Sequence, residues 1–181
     1  IDFGGLLGNV DVHRRGGVKG VQPGQGGAST LGHRFLPFAA VLAQLAQSLR
    51  GRKAGMAQWL MKTEPEDYSW DRLVADGETE WTGVRNHQAA ANMRAMKLDD
   101  PVFFYRSMVE PAIVGVMRIS AEAYPDPKDA SGKFVRVKVK PDRRLPAEVS
   151  LKAVKADPRF AELPLVRQSR LSVQPVSDAR S

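Results

Sequence analysis

Aromatic, hydroxyl, amide and cationic side chains cluster at four points where predicted strands end or helices begin. The four stretches are 59–65 (WLMKTEP), 81–86 (WTGVRN), 103–107 (FFYRS) and 167–175 (RQSRLSVQP). Aromatic walls combined with hydrogen-bond donors are what a pocket for a planar nucleobase requires. Stacking one base on an aromatic side chain is worth about 1–3 kcal/mol, close to the few kcal/mol that unstacking a base costs. The clusters therefore predict a base-binding site.

Signatures of catalysis and of metal binding are absent from the sequence. There is no nucleophile elbow and no phosphate-binding loop. His87 is the one histidine after residue 56, no second metal ligand is suitably spaced from it, and the chain has no cysteine. We therefore expect no catalytic residue, no cofactor and no metal, while an enzyme using Lys62 or His87 is the alternative.

Each candidate residue also has a structural explanation. A Trp or Tyr in a domain of this size belongs more often to the core than to a site. Arg167 and Arg170 are by default solvated surface residues. On the residues alone, a nucleic-acid pocket and an ordinary core with a charged surface both stay open.

The composition divides the chain near Met56. Residues 1–55 hold 12 of the 16 glycines, whereas all tryptophans and tyrosines come later. Such a segment buries too little apolar surface to offset its ordering entropy. We therefore expect residues 1–55 to be a disordered or non-native extension, since Met56 is the first methionine and directly precedes the first strand. Within it, residues 37–50 have the apolar spacing of a short helix.

The charge is basic overall but unevenly distributed. The net charge is +7, yet residues 56–127 carry 7 basic and 12 acidic groups, and residues 128–170 carry 12 and 5. This asymmetry predicts one basic face from the C-terminal half and a polyanionic partner. A protein adaptor that meets an acidic partner is the alternative. No run of 18 apolar residues occurs, so we expect no membrane span.

Hydrophobic patterning predicts an α+β domain. Ser69, Asn86 and Ser150 are expected to cap short helices. Between 133 and 140, three valines alternate with Arg136, Lys138 and Lys140, which predicts a half-buried strand with a cationic outer face. Further strands are predicted at 58–62, 101–105, 112–120 and 171–176, the last at a sheet edge because of Pro175. Five or six strands with short helices packed around them favour a small, partly open β-barrel.

Residues 56–176 resemble the EVE domain family in six stretches that occur in the same order. The stretches are 59–65, 81–89, 103–107, 110–115, 123–127 and 167–176. Thr63, His87 and Arg106 stand where Ser, Tyr and His are common in the family. The resemblance implies a PUA-like barrel, similar to the YTH domains that bind methylated adenine in RNA. It also implies a DNA- or RNA-binding reader of a modified base, with modified cytosine in DNA as one suggested ligand class.

The resemblance and the clusters together predict a set of site residues. Trp81 is expected to form a wall of the pocket with Tyr105 nearby, because no apolar side chain precedes it between 76 and 80; Trp59 is expected in the core. Contacts to the base edge or the adjacent phosphate are assigned to Lys62, Thr63, Asn86 and Ser107, and contacts to the backbone to Arg85, Arg167 and Arg170. We further expect a monomer in the cytoplasm. Residues 177–181 are expected to be a tail in which the helix that often follows the family's last strand is cut short.

Overall fold

Six strands form a single curled sheet in the computed structural model, which describes residues 57–176. The strands are β1 (Trp59–Thr63), β2 (Thr79–Trp81), β3 (Pro101–Arg106), β4 (Ala112–Pro125), β5 (Val135–Ser150) and β6 (Val173–Pro175). Their order across the sheet is β2-β5-β4-β3-β1-β6. The predictions for residues 1–55, for the helix 37–50, for Met56 and for the tail 177–181 lie outside the described residues.

Four helices and one 3₁₀ turn surround this sheet. They are α1 (Trp70–Asp76), α2 (His87–Ala95), α3 (Leu151–Ala156), the turn Pro158–Phe160, and α4 (Pro164–Arg167). The three predicted caps are confirmed, since Ser69, Asn86 and Ser150 each accept a hydrogen bond from the backbone N–H three residues later. None of the helices within 57–176 has the length and apolar character needed to cross a bilayer.

The long β4–β5 ribbon bends the sheet into a half-barrel. Its antiparallel register shifts at four points, and bulges of this kind increase local twist and bend a strand. β1 and β3 pair in parallel, while every other pair of neighbouring strands is antiparallel. The predicted α+β class and partly open barrel are confirmed, with six strands.

Alternation along the strands divides the apolar side chains into two cores. The inner core includes Met61, Trp81 and Phe104 and lies under α1 and α2. The outer core includes Leu60 and Tyr105 and is covered by α3, the 3₁₀ turn and α4. Neighbouring residues of one strand therefore lie in different cores, and this separation decides which candidate residues can meet.

Four strands differ from the sequence prediction. β4 was expected to end at 120 but continues to Pro125. β2 was not predicted as a strand, because only three residues form it. β5 was expected to end at 140 but continues through Pro141 and Pro146 to Ser150. A register shift in the β4–β5 pairing falls where Pro141 lies opposite Met117, so the ladder accommodates a residue without an N–H. β6 is shorter than predicted but lies at the sheet edge, as Pro175 indicated.

Gly115 allows the close packing of α1 on the sheet. A Cβ atom added there would overlap the ring of Trp70, which is buried and packs edge-on against Phe104 at 5.4 Å. We expect Gly115→Ala to lower the free energy of unfolding by about 1–3 kcal/mol, as overpacking of a core commonly does. Denaturant unfolding measures this loss. In a Trp70→Phe background the smaller ring should reduce the cost, and an equal cost in both backgrounds would contradict the proposed overlap.

Candidate nucleic-acid interface

Lys62 and Tyr105 lie side by side at the carboxyl ends of the parallel strands β1 and β3. The Lys62 ammonium is 5.7 Å from the centroid of the Tyr105 ring and donates a hydrogen bond to the Ser169 carbonyl at 2.8 Å. The Lys62 backbone N–H donates to the carbonyl of Ser172. Burial lowers the pKa of Lys62 to about 8 and raises the pKa of Tyr105. The predicted pair is therefore brought together, with the loop 168–172 held against it.

Thr63 and Ser107 join the same end of the sheet but use their hydroxyl groups within the fold. The backbone N–H and the hydroxyl of Ser107 both donate to the Thr63 carbonyl, at 2.8 and 2.9 Å. The buried Thr63 hydroxyl donates to the Tyr68 carbonyl at 3.2 Å. These bonds fix the β3–β4 turn to β1, and contact of either residue with a base stays a prediction.

Trp81 does not lie on an exposed connection, so the expectation of a free aromatic face was wrong. It is the last residue of β2, pairs with Val137, and is 1% exposed. Its ring packs at 89° against Phe104, with centroids 6.2 Å apart. The apolar neighbours missing from residues 76–80 come instead from other strands. Trp59 is buried as predicted, and its indole N–H donates to Asp100 at 2.9 Å.

The predicted pocket residues thus lie on two faces of the sheet. Tyr105 belongs to the outer core and Trp81 to the inner core. Lys62 alternates with Met61 along β1, so its side chain leaves the sheet on the Tyr105 side. In this conformation Trp81 and Tyr105 do not form opposite walls of one pocket.

Phe134 is an aromatic residue that the sequence analysis missed. Within 57–176, Tyr124 and Phe134 are the only aromatic residues that are not buried. The centroid of the Phe134 ring is 5.1 Å from that of the His87 imidazole, with 32° between the ring planes, and 5.5 Å from the Arg85 guanidinium. Tyr124 is less available, because its hydroxyl donates to Glu80 and the Arg136 guanidinium covers its ring at 4.7 Å. We call Arg85, Phe134 and His87 the aromatic–cation stack.

Backbone hydrogen bonds hold Phe134 in place independently of its side chain. Its N–H donates to Asp129 at 2.7 Å, and its carbonyl accepts from the N–H of Asp126 at 3.1 Å. The Ser131 hydroxyl first, and then backbone N–H groups including that of Phe134, lower the pKa of Asp129 to about 2. The ring is therefore presented by a well-ordered loop.

Arg85 is positioned by a buried carboxylate. Its guanidinium donates to Asp126 at 2.8 Å, and Asp126 also accepts from the backbone N–H groups of Gly83 and Lys128. Burial alone would raise the pKa of Asp126, but these hydrogen bonds outweigh burial and hold the pKa below its usual value. Next to it, the exposed Asn86 caps α2 through its side-chain oxygen, which leaves its side-chain nitrogen as a donor.

Asn92 places the middle of α2 beside the edge strand of the sheet. Its side chain donates to the Val173 carbonyl at 2.8 Å, and Val173 of β6 pairs with Met61 of β1.

The predicted cationic face of β5 is largely paired with carboxylates. Arg136 pairs with Glu80, Lys138 with Glu78 at 3.5 Å, and Lys140 with Asp99 at 4.0 Å. Arg167 likewise pairs with Glu162. Within 57–176, six cationic residues have no carboxylate in ion-pair contact: Lys62, Arg94, Lys133, Lys152, Lys155 and Arg170. In the same part of the chain, no group of three His, Asp or Glu residues could hold a metal ion.

The curled sheet, the helix beside its edge strand and the polar end of β1 define a small α+β half-barrel domain. The chain belongs to the EVE domain family, whose profile matches residues 57–181, as the resemblance predicted.

Relatives and solved structures agree with this assignment. Rat thymocyte nuclear protein 1 is 35% identical over 153 residues, which are 66% of this chain and 68% of the rat protein; the match to the mouse protein covers 35% of that protein. The NMR structure of a Rhodopseudomonas palustris protein is 53% identical, with a TM-score of 0.65 over 67% of this chain and 86% of that chain. The crystal structure of human THYN1 in complex with 5-methylcytosine-containing DNA is 33% identical, with a TM-score of 0.62 over 67% of this chain and 91% of that chain.

Proposed function

We propose that this domain binds nucleic acid and holds a modified base, with modified cytosine in DNA as the ligand class. The observation that carries the proposal is the aromatic–cation stack, in which a partly exposed ring lies beside two cationic or ionisable side chains at the start of a helix. The similarity to human THYN1, crystallised with 5-methylcytosine-containing DNA, supports the choice of ligand.

In the proposed mechanism the exposed His87 side chain moves off the Phe134 ring, and an unpaired or flipped base stacks in its place. Base–aromatic stacking is worth about 1–3 kcal/mol, enough to offset much of the cost of unstacking the base. The free side-chain nitrogen of Asn86 is a donor for the base edge, and Arg85, fixed by Asp126, supplies positive charge beside the ring. Lys62 and Arg170 are cations available for the adjacent phosphates, and such contacts position a strand without reading its sequence.

An enzyme remains the alternative from another class. His87 stacks on Phe134, and Lys62 donates to a backbone carbonyl, so neither side chain contacts a carboxylate partner within 57–176. An adaptor that binds an acidic protein is a further alternative. Competition by the free modified nucleoside separates the two binding hypotheses, because only a base site releases its ligand to a nucleoside.

The deciding experiment measures the affinity of the full chain for short oligonucleotides. The set contains 5-methylcytosine, N6-methyladenine and unmodified controls in otherwise identical DNA and RNA strands, titrated at two salt concentrations. We expect tighter binding of a modified strand at both salt concentrations. Equal affinities that fall together with salt would show phosphate contacts alone and contradict the proposal.

Arg170 should contribute to affinity without setting base preference. It is exposed and has no carboxylate in ion-pair contact within 57–176, so it can form an ion pair with a phosphate without first losing another partner. We expect Arg170→Gln to weaken binding of modified and unmodified strands equally and to reduce the salt slope by about 1. Lys138→Gln is the matched control. Because Lys138 already pairs with Glu78, this substitution should change the affinity little. A changed ratio between the two ligands would place Arg170 in the base pocket.

A further inference from the structure

Lys62 is held differently from most cations of the domain. Its side chain is half-buried, and its amine donates to the Ser169 carbonyl rather than to a carboxylate. The ring of Tyr105, itself 3% exposed, lies alongside at 5.7 Å. By contrast, Lys138 and Lys140 form ion pairs, and Lys152 is exposed on α3.

This environment favours the neutral amine. Burial, with no charged partner contributing, lowers the pKa of Lys62 to about 8. At pH 7 about one molecule in ten then carries a neutral amine, against about one in 3,000 for an ordinary lysine. A desolvated, neutral lysine is a nucleophile toward carbonyl carbons, as in enzymes that form Schiff bases.

We propose that Lys62 reversibly captures aldehyde-bearing nucleotides by forming an imine with them. The inference rests on the proposed function, because a nucleic acid must first be bound at this end of the sheet. Nucleotides of this kind include a formylated cytosine and the ring-opened sugar of an abasic site.

The reaction needs no oxidant or further reactant. The lone pair of Lys62 Nζ attacks the aldehyde carbon, and one proton of the amine passes to the former carbonyl oxygen, which gives a carbinolamine. Loss of one water molecule then breaks the C–O bond and forms the C=N bond, and hydrolysis reverses both steps. The Ser169 carbonyl accepts one N–H and so orients the amine, while the buried Tyr105 ring limits access of the water that hydrolyses the imine.

The test is reductive trapping with the full-length chain. The protein is incubated with cyanoborohydride and strands that carry 5-formylcytosine, an abasic site, 5-methylcytosine or no modification, and adducts are located by peptide mapping. We expect an adduct at Lys62 with one or both aldehyde strands and none with the other two. The two aldehyde arms show which source the site accepts.

Matched variants and pH locate the reactive amine. Lys62→Arg keeps the charge but cannot form the imine, so the adduct should disappear, whereas Lys152→Arg should leave it unchanged. Because the pKa of Lys62 is about 8, trapping at Lys62 should reach half of its maximum near pH 8 and level off about one pH unit higher. Trapping at an exposed lysine such as Lys152 should keep rising. The peptide map of the wild-type protein assigns the site even if Lys62→Arg folds poorly.

The outcomes distinguish this inference from the proposed function. Tight binding of a modified strand without an adduct at Lys62, or adducts spread evenly over exposed lysines, would overturn the inference and leave the proposed function standing. An adduct at Lys62, found together with equal affinities for the methylated and unmodified strands, would support the inference. It would also contradict the proposal that the domain recognises a modified base. Absence of both binding and adduct would overturn both.

Discussion

Replacing Trp81 with alanine is expected to lower the free energy of unfolding by about 3–5 kcal/mol, the usual cost of truncating a buried aromatic side chain. Trp81 is 1% exposed and packs edge-on against Phe104, which also contacts Trp70 edge-on. Its removal therefore leaves a cavity in the middle of the inner core. Denaturant unfolding of the wild type and the variant measures the loss. The comparison uses the same dependence of the free energy of unfolding on denaturant concentration for both proteins.

Trp81→Phe is the control for this prediction, since it keeps an aromatic ring and should recover part of the lost stability. Oligonucleotide affinity of both variants is then measured under conditions where they are folded. If Trp81→Ala lowers the free energy of unfolding by less than about 1 kcal/mol and also abolishes base binding, Trp81 forms a wall of the pocket, as the sequence suggested.

Features set by neighbouring residues were predictable from the sequence. The three capping residues each bond to a backbone N–H only three positions away, so composition and spacing identify them. The alternation of Val135, Val137 and Val139 with cationic residues likewise indicates a strand with one buried face. The prediction that these strands form a half-barrel came from the family resemblance, because the spacing of residues alone does not determine it.

Features set by cross-strand partners were not predictable. Trp81 looked exposed because its sequence neighbours are polar, yet its packing partner Phe104 comes from another strand. The cations of β5 looked free because their partners Glu78 and Glu80 lie directly before and within β2, which was not predicted as a strand and pairs with β5. Register and pairing decide these contacts, and a single sequence does not encode either in its local pattern.

The contacts of the aromatic–cation stack were likewise not predictable, because its residues are far apart in the sequence. His87 and Phe134 are 47 positions apart, and α2 and the loop before β5 bring them into contact. A signal did exist, since Phe134 lies on the cationic side of the alternating stretch rather than on the valine side. That placement indicates an aromatic ring facing away from the core, which is where a base could reach it.

Phe134→Ala is accordingly expected to weaken binding of the preferred modified strand by about 1–3 kcal/mol, roughly 5- to 150-fold, as the loss of one base stack does. Stability should change little, because the loop is held by backbone bonds to Asp126 and Asp129 that do not involve the ring. Fluorescence titration gives the affinity, and thermal unfolding gives the stability.

Two control variants separate stacking from general packing at this position. Phe134→Leu keeps the apolar bulk but removes the π face, so it should lose most of the same affinity while remaining as stable as wild type. Tyr124→Ala removes the other aromatic side chain that is not buried; because Arg136 covers its ring, base affinity should be unchanged. If Tyr124→Ala weakens binding more than Phe134→Ala does, the base stacks at Tyr124, and the interface lies along the β4–β5 ribbon rather than at the start of α2.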